Sequence, residues 1–513
     1  MKKEMSNKKQ MAVNMFASML TYAISMLISF FLSPYIVKNI GVDANGFIGL
    51  ANNFVSYASL ITIALNALAS RFITINIYQN NYDNANRYFS SVFYSNTFLS
   101  LILALIGSVI VIFLNRFIDV SDALLPDVRL LFAFLFLDCI ISTISSVFGV
   151  ATFARNKLYL NSLRTIEANI LRMLCIVILF SCFEPRLFYI GIASVVQVIY
   201  CLVLNVIYTK RLLPEIKLSR RSFHFRMVKE LVSGGVWSLF NRLGQILLDG
   251  LDLLITNVFI NANSMGILSL SKTIPTAING IVSATVSIFS PNYTILYAQG
   301  KKDELLRSIK QSMKIMGVIT NIPVIILVIC GKEFYALWQP TVDSDVLYKL
   351  SLLGCVCIIF SGGINCIYNI FTVVNKLKAN SIVVILSGLV SALIVYILLR
   401  TTSLGVYAVA GVSSTISILR NLFFTAPYGA KCLKLKWYTF YPDIARPVIY
   451  VIATCVLCAL TISNLEANSW LLLILKGCLT VTLSIFIGYF IVLGKNERKV
   501  IKYAVRSRVF KRR

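Results

Sequence analysis

Long apolar runs alternate with short polar breaks along the whole chain. Each run has about 20 residues or more, and a helix of that length crosses a hydrocarbon core about 30 Å thick. Because a bilayer offers no water to backbone polar groups, such runs are expected to be helical. The pattern therefore predicts an all-α polytopic membrane protein with about 14 transmembrane helices, at residues 12–37, 46–69, 88–114, 130–153, 165–183, 187–208, 231–260, 264–290, 311–331, 347–374, 380–399, 404–428, 445–463 and 469–493.

The first apolar run starts directly after the basic segment MKKEMSNKKQ. A secretory signal peptide has a similar basic start, but its apolar region is shorter and ends at a small-residue cleavage site. The run here continues to about Val37 without such a site. It is therefore predicted to be the first span.

The amino-acid composition agrees with a membrane protein. Of the 513 residues, 58% are hydrophobic and 13% are charged, whereas soluble domains average about 45–50% and 25%. Most of the 12 cysteines lie inside apolar runs, where they are expected to pack as small hydrophobic residues. His224 is the single histidine and lies in a basic loop, so neither a metal site nor a catalytic role is expected for it.

Lysine and arginine are distributed unevenly between the two predicted sides of the membrane. The richer side contains both termini and the segments 209–230 and 494–513, and the positive-inside rule assigns it to the cytoplasm. The chain is thus predicted to lie in the bacterial cytoplasmic membrane with both termini cytoplasmic. Topology and anionic lipid then explain the net charge of +27, and no nucleic acid partner is expected. The other side holds seven basic residues: Lys38, Arg116, Arg129, Arg186, Lys332, Lys349 and Arg400.

The chain contains an internal repeat at a nearly constant offset. NKLYLNS (156–162) follows the fourth predicted span and NKLKANS (375–381) follows the tenth, 219 residues later. GFIGLANN (46–53) and GILSLSKT (266–273) begin the second and eighth spans, 220 residues apart. These matches predict two six-helix repeats of the same orientation, an architecture typical of transporters. The predicted division is an N-terminal repeat at 1–208, a cytoplasmic basic linker at 209–230, a C-terminal repeat at 231–428, two added helices at 429–493 and a basic cytoplasmic tail at 494–513.

Three arginines fall in the cytoplasmic half of predicted spans, where a charge is costly and commonly functional. They are Arg172, Arg242 and Arg420. Arginine suits phosphate because its planar guanidinium donates bidentate hydrogen bonds. Together the three predict a substrate-binding site for an anion reached from the cytoplasm, and an anionic lipid headgroup is a natural ligand. Structural alternatives stay open, since Arg172 could pair with Glu167, and Arg242 could cap backbone carbonyls or extend to the inner surface.

The charges in the outer half of the spans allow two interpretations. Asp138, Asp249 and Asp252 could bind a coupling ion, H⁺ or Na⁺. Lys272, in the next helix, is a fourth candidate cavity cation, or it neutralises Asp249 or Asp252 in a buried structural pair. Arg242 and Asp249 are seven residues apart, so a continuous helix would place them on one face.

Other polar residues are given less weight. Lys476 lies in an added helix and is predicted to extend its ammonium group to the membrane surface. The longest outer loops, about 115–129 and 332–346, are short, and their carboxylates are expected to be solvated. Six residues are candidate sugar contacts, although hydrogen bonding between helices is favoured for most of them: Asn52, Asn53, Tyr57, Asn241, Asn365 and Tyr368.

The six-plus-six-plus-two helices, the NKLYLNS and NKLKANS loops and the glycine-led starts of spans 2 and 8 resemble one transporter group. This is the multidrug/oligosaccharidyl-lipid/polysaccharide (MOP) exporter superfamily, and the likeness covers about residues 10–495. Within it the chain is most similar to the polysaccharide transporters called Wzx-type flippases. The resemblance implies translocation of undecaprenyl-diphosphate-linked oligosaccharide for O-antigen, capsule or exopolysaccharide assembly. It also implies contact with membrane lipids and with the polysaccharide polymerase and glycosyltransferases of the same pathway.

Three other functions stay open at this point. Lipid II flippases share the 14-span plan and an arginine-rich cavity. Multidrug and toxin exporters typically have 12 spans and acidic cavity residues, and the three aspartates keep that alternative open. A membrane glycosyltransferase would need catalytic groups in a large outer loop, which the chain lacks, so no enzyme activity is expected. The sequence also has no GxxxxGK phosphate loop, which argues against an ATP-driven pump.

Overall fold

The protein was analysed as a computed structural model that describes residues 7–374, 376–462, 465–494 and 498. Every regular element within these ranges is a helix. The chain forms two compact units, Met1–Ser269 and Leu270–Arg513. The predicted tail at 494–513 lies almost wholly outside the described residues.

The first unit consists of ten helices and most of an eleventh, α11, which contains the boundary between the units. A 3-10 turn at Ser146–Gly149 joins α5 to α6, and a π-helix at Ile246–Gly250 follows α9. The helices are α1 (Asn7–Ile40), α2 (Val42–Tyr78), α3 (Tyr82–Ile112), α4 (Leu114–Phe117), α5 (Leu125–Ser145), α6 (Val150–Ala154), α7 (Leu158–Cys182), α8 (Phe188–Leu212), α9 (Phe225–Gln245), α10 (Asp252–Phe259) and α11 (Ala262–Ser271).

The second unit contains the remaining ten described helices and a second π-helix at Asn421–Thr425. They are α12 (Thr273–Ser287), α13 (Ser290–Ala298), α14 (Lys302–Ile319), α15 (Asn321–Trp338), α16 (Ser344–Val373), α17 (Leu377–Thr401), α18 (Val406–Arg420), α19 (Ala426–Cys432), α20 (Tyr441–Thr461) and α21 (Trp470–Ile491).

Helix starts repeat along the chain with the offset found in the sequence. Corresponding helices begin 218 to 220 residues apart, so the same series of turns recurs. The compact units divide after Ser269. This division does not test the predicted repeat boundaries at 208, 230, 428 and 493, which stay a prediction. The paired starts are Val42 and Ala262, Tyr82 and Lys302, Leu125 and Ser344, Leu158 and Leu377, and Phe188 and Val406.

Twelve helices in the described residues are long and apolar enough to cross a membrane, against 14 predicted spans. The missing two are the predicted spans 231–260 and 264–290. Each of these is divided into pieces: α10, α11 and α12 have 8, 10 and 15 residues, and α9 is rich in polar and charged side chains. The count of 14 therefore stays a prediction, and these two segments are interrupted helices.

In the first unit, α2 packs closely against α9 and α11 through glycine. A Cβ atom added at Gly235 of α9 would lie 1.9 Å from the carbonyl oxygen of Ala64 in α2. A Cβ at Gly46 of α2 would lie 2.8 Å from the backbone nitrogen of Gly266 in α11. Small residues allow helix backbones to approach in this way inside a membrane. The interrupted segment 231–260 is therefore held against α2 at Gly235, and α11, which follows it, is held against α2 at Gly266.

Candidate functional site

The seventh predicted span is interrupted by the π-helix Ile246–Gly250 between α9 and α10. A π-helical turn shifts the backbone hydrogen bonds out of the α-helical pattern and is frequent at functional sites. The carbonyl oxygen of Gly250 accepts two hydrogen bonds from α2, one from Asn53 Nδ2 at 3.0 Å and one from the Tyr57 hydroxyl at 2.5 Å. Two candidate sugar contacts therefore bind the interrupted helix, which confirms the interhelical role favoured for them.

Arg242 lies in the last turn of α9, one turn before the π-helix. Its side chain is exposed and donates one hydrogen bond, from Nη1 to Gln245 Oε1 at 3.5 Å. Gln245 Nε2 in turn donates to Asn241 Oδ1 at 3.0 Å. Arg242 forms no ion pair with any residue that the structure describes. Most of the donor capacity of its guanidinium is thus available to another molecule.

The two aspartates of this segment have different surroundings. Asp249 is exposed within the π-helix, whereas Asp252 begins α10 and is only 5% exposed. The Asp252 carboxylate acts electrostatically on the Tyr57 hydroxyl. The prediction that Arg242 and Asp249 share one face assumed a continuous α-helix. The π-helix Ile246–Gly250 interrupts that helix, so the shared face stays a prediction.

Lys272 occupies the junction between α11 and α12 and is half-buried. It belongs to the second unit, whereas Asp249 and Asp252 belong to the first. Its predicted pairing with one of these aspartates, and its predicted role as a cavity cation, both stay predictions.

Arg172 in α7 interacts electrostatically with Asp138 in α5. The two side chains form no ion pair within 4.0 Å, and the buried Nε of Arg172 has no hydrogen-bond partner. The predicted local pairing of Arg172 with Glu167 is wrong. Glu167 instead forms an ion pair with Arg164 and accepts a hydrogen bond from the Tyr200 hydroxyl at 2.5 Å. Asp138 is therefore the carboxylate that interacts with Arg172 across the two helices.

Arg420 is the last residue of α18 and directly precedes the π-helix Asn421–Thr425. Its Nη2 donates to the Tyr368 hydroxyl at 3.3 Å, and that hydroxyl donates to Asn421 Oδ1 at 2.7 Å. The Nε of Arg420 is buried without a hydrogen-bond partner. Like Arg172 and Arg242, it forms no ion pair with the described residues. Tyr368, a third candidate sugar contact, also binds a neighbouring helix.

Arg242 and Arg420 share a local structure that the sequence did not reveal. Each lies within four residues of the start of a π-helix, and a tyrosine from another helix of its own unit hydrogen-bonds to that π-helix. In transporters, interrupted helices commonly form the binding site. The Asp249-Gly250 pair inside an apolar run was the signal that could have identified the first interruption.

Lys476 does not extend to the membrane surface as predicted. It is 3% exposed, and its ammonium nitrogen lies 2.5 Å from Glu333 Oε1 of α15. The same contact corrects the prediction that Glu333 is a solvated loop charge. This ion pair links α21 to α15 and gives Lys476 a structural role.

Among the described residues, no three or more His, Cys, Asp or Glu side chains form a group that could hold a metal ion. The polar chemistry of the candidate site is therefore that of guanidinium groups, carboxylates, amides and hydroxyls.

Two solved structures of low sequence identity share this fold. One is a multidrug resistance MATE family transporter of the MOP superfamily in an inward-facing conformation, with a TM-score of 0.65 and 14% identity over 82% of this chain and 98% of that chain. The other is the lipid II flippase MurJ in an inward closed conformation, with a TM-score of 0.65 and 13% identity over 93% of this chain and 99% of that chain. They confirm the predicted MATE-like fold class.

The sequence also matches a curated relative along almost its whole length. That relative is described as an uncharacterized membrane protein EpsK of Bacillus subtilis (strain 168), 27% identical over 489 residues, which cover 95% of this chain and 97% of the relative. The profile of the family described as polysaccharide biosynthesis protein matches residues 11–291, more than half of the chain. The chain is therefore a multi-pass membrane protein that belongs to the polysaccharide biosynthesis protein family.

Proposed function

We propose that the protein is a flippase for undecaprenyl-diphosphate-linked oligosaccharide in the cytoplasmic membrane. It moves this lipid from the inner to the outer leaflet for O-antigen, capsule or exopolysaccharide assembly. Family membership and a fold shared with a lipid II flippase support a lipid-linked substrate. No catalytic step is included in this proposal, since translocation breaks no covalent bond.

One observation carries the choice of an anionic substrate. Arg242 and Arg420 lie in apolar segments and form no ion pair with the described residues, and Arg172 interacts with Asp138 only from beyond the 4.0 Å of an ion pair. A charge at membrane depth is costly unless a partner or water compensates it. A diphosphate supplies that partner, because its oxygens accept bidentate hydrogen bonds from guanidinium groups.

In the proposed cycle, each of the three arginines contacts the anionic headgroup at some stage of alternating access. Arg242 binds first, because its side chain is exposed and hydrogen-bonds only Gln245 among the described residues. The lipid tail stays in the bilayer while the headgroup crosses. Release on the outer side requires that the diphosphate and the arginines separate.

The proposal assigns ion coupling to Asp138. Its carboxylate is half-buried and interacts electrostatically with Arg172. Binding of a proton or Na⁺ at Asp138 would remove the compensating charge from Arg172 and strengthen its attraction for diphosphate. Asp138→Asn imitates the neutral state. We expect this variant to bind substrate but to lose the dependence of transport on the ion gradient.

The test is complementation of a bacterial strain that lacks its polysaccharide flippase. Wild type, Arg242→Ala and Arg242→Lys are compared at matched membrane expression, with surface polysaccharide and accumulated lipid-linked oligosaccharide as readouts. We expect full rescue by wild type, loss in Arg242→Ala and partial rescue by Arg242→Lys, which keeps the charge but not the planar fork. Arg71→Ala is the control, because Arg71 is an exposed basic residue that was not predicted to bind substrate. Equal rescue by all three proteins would remove Arg242 from the mechanism.

Lipid II is the second candidate substrate, favoured by the 93% coverage of this chain by the MurJ structure. Rescue of a strain depleted of its lipid II flippase, without rescue of surface polysaccharide, would select it. Altered drug resistance with normal glycans would instead favour multidrug export.

A further inference from the structure

An open groove of about 430 Å³ lies in the second unit, where α19 ends and the chain continues toward α20. Two pairs of aromatic rings are packed there. Phe424 and Tyr428 stack at 5.0 Å between ring centroids, and Trp437 packs edge-on against Tyr441 at 5.6 Å. Phe423 and Trp437 are 75% and 64% exposed. The groove therefore presents a large apolar rim to its surroundings.

The same groove is strongly basic. Lys431 and Lys434 line it, Lys436 follows directly, and all three side chains are exposed. None of them forms an ion pair with the described residues, and Lys436 lies over the ring of Tyr438 at 5.9 Å. The sequence contains no aspartate or glutamate between Asp345 and Asp443. The charge of the groove is thus left for an anion from outside the chain.

The placement of these lysines goes beyond ordinary helix capping. A basic residue in the last turn is stabilised by the helix dipole, and this explains Lys431. Lys434 and Lys436 follow the end of α19. Lys434 has a φ of 60°, and the Leu435 N–H donates to the Ala430 carbonyl at 2.9 Å. Glycine is the usual residue at such a left-handed helix end, so Lys434 has a backbone conformation that residues with a side chain rarely adopt.

The chemistry of the lining selects the kind of anion. The groove is lined by aromatic, aliphatic and lysine side chains together with one proline, and none of these lining residues is an amide or a carboxylate that would bind sugar hydroxyls. Aromatic side chains favour the membrane–water interface, and lysines near the membrane surface attract anionic lipid. We propose that this groove binds the headgroup of an anionic glycerophospholipid of the phosphatidylglycerol type. The phosphate contacts Lys431 and Lys434, and the acyl chains lie along Phe423 and Trp437. The site is separate from the proposed transport function and does not depend on it.

Trp437 lies in the groove and can report on the lipid directly. Phenylalanine replaces Trp237, Trp338 and Trp470, so that Trp437 is the single tryptophan. The protein is reconstituted into phosphatidylcholine vesicles that contain either brominated phosphatidylglycerol or brominated phosphatidylcholine, and quenching is measured against the brominated fraction. We expect brominated phosphatidylglycerol to quench Trp437 at a membrane fraction at least fivefold lower than the fraction of brominated phosphatidylcholine that gives the same quenching. Each lysine near the surface contributes about that factor in affinity for anionic lipid. In Lys431→Gln/Lys434→Gln/Lys436→Gln, the two lipids should quench equally.

The matched control keeps Trp470 as the single tryptophan. Trp470 is 43% exposed at the start of α21, and the two brominated lipids should quench it equally. If the triple phenylalanine variants do not fold, the fluorescence of wild type minus that of Trp437→Phe gives the signal of Trp437. Its quenching by the two brominated lipids is then compared in the same way. Equal quenching of Trp437 by both lipids would overturn the proposal. A preference for phosphatidylglycerol that persists in the triple glutamine variant, or that is equally large at Trp470, would also overturn it. So would displacement of the brominated lipid by a polyprenyl phosphate but not by unlabelled phosphatidylglycerol.

Discussion

Lys476 and Arg242 are two basic residues in apolar segments, and their surroundings are opposite. Lys476 is 3% exposed and contacts Glu333 at 2.5 Å, inside the uninterrupted helix α21. Arg242 is exposed, has no carboxylate partner in the described part of the chain, and lies one turn before a π-helix. A buried charge that is neutralised within its own unit stabilises the fold. A charge that keeps its donors available, at a break in a helix, is suited to bind a ligand.

The strongest test of this contrast is Lys476→Ala. Removing the ammonium leaves the Glu333 carboxylate without its partner, which typically costs about 3–5 kcal/mol in the free energy of unfolding. The effect is measured by reversible unfolding of the purified protein in mixed micelles. The double variant Lys476→Met/Glu333→Leu is the control, because replacing both charges by apolar groups should recover most of the stability. An unchanged free energy in Lys476→Ala would show that the pair is not structural.

The next largest effect is expected for Gly235→Ala, which tests how firmly the segment carrying Arg242 is held. The added Cβ would lie 1.9 Å from the Ala64 carbonyl oxygen, so the backbones of α9 and α2 must separate. Overpacking of this kind costs about 1–3 kcal/mol. Gly234→Ala is the neighbouring control, since its Cβ would meet only the flexible end of Leu68. Equal loss of thermal stability in the two variants would contradict the close contact at Gly235.

A smaller effect is expected for Tyr57→Phe. The variant loses the hydroxyl that donates to Gly250 at the interruption, and a hydrogen bond of this kind contributes about 0.5–1.5 kcal/mol net. Tyr78→Phe is the control, because Tyr78 is 67% exposed and its hydroxyl donates to Ala154 at 3.0 Å. If the control lost more stability than Tyr57→Phe, the hydrogen bond to Gly250 would not support the π-helix.

The smallest change in stability is expected for Arg242→Ala. Because the side chain is exposed and unpaired within the described residues, the free energy of unfolding should shift by no more than about 0.5 kcal/mol. Transport should nevertheless be lost, as measured by the complementation assay. A loss of stability comparable to that of Lys476→Ala would make Arg242 a structural residue and remove the contrast between the two sites.

The helix order could be predicted where hydrophobic length alone decides the structure. The last predicted span, 469–493, corresponds to α21, Trp470–Ile491, and the span 380–399 lies within α17, Leu377–Thr401. The segment 231–260 was predicted as one continuous helix, and it is interrupted. At the interruption, Asn53 and Tyr57 of α2 donate hydrogen bonds to the Gly250 carbonyl. Hydropathy along one segment carries no information about such partners.

The candidate charges could be identified from the sequence, but their partners could not. Local spacing suggested Glu167 for Arg172, whereas Arg164 is the ion-pair partner of Glu167. The choice depends on which face of α7 meets α8 and which meets α1, and nearly all faces of these helices are apolar. The partner of Lys476 was missed because Glu333 is 143 residues away along the chain, and local spacing cannot reveal such a contact.

The glycine contacts of α2 have a mechanical consequence. At Gly235, the three atoms nearest to an added Cβ all belong to the backbone of Ala64. Helices that interdigitate through side chains must change rotamers before they move past each other. A backbone contact such as that at Gly235 loses only dispersion contacts of about 0.1–0.2 kcal/mol per atom pair. Movement of α9 along α2 would therefore need no change of rotamer at the Gly235 contact itself.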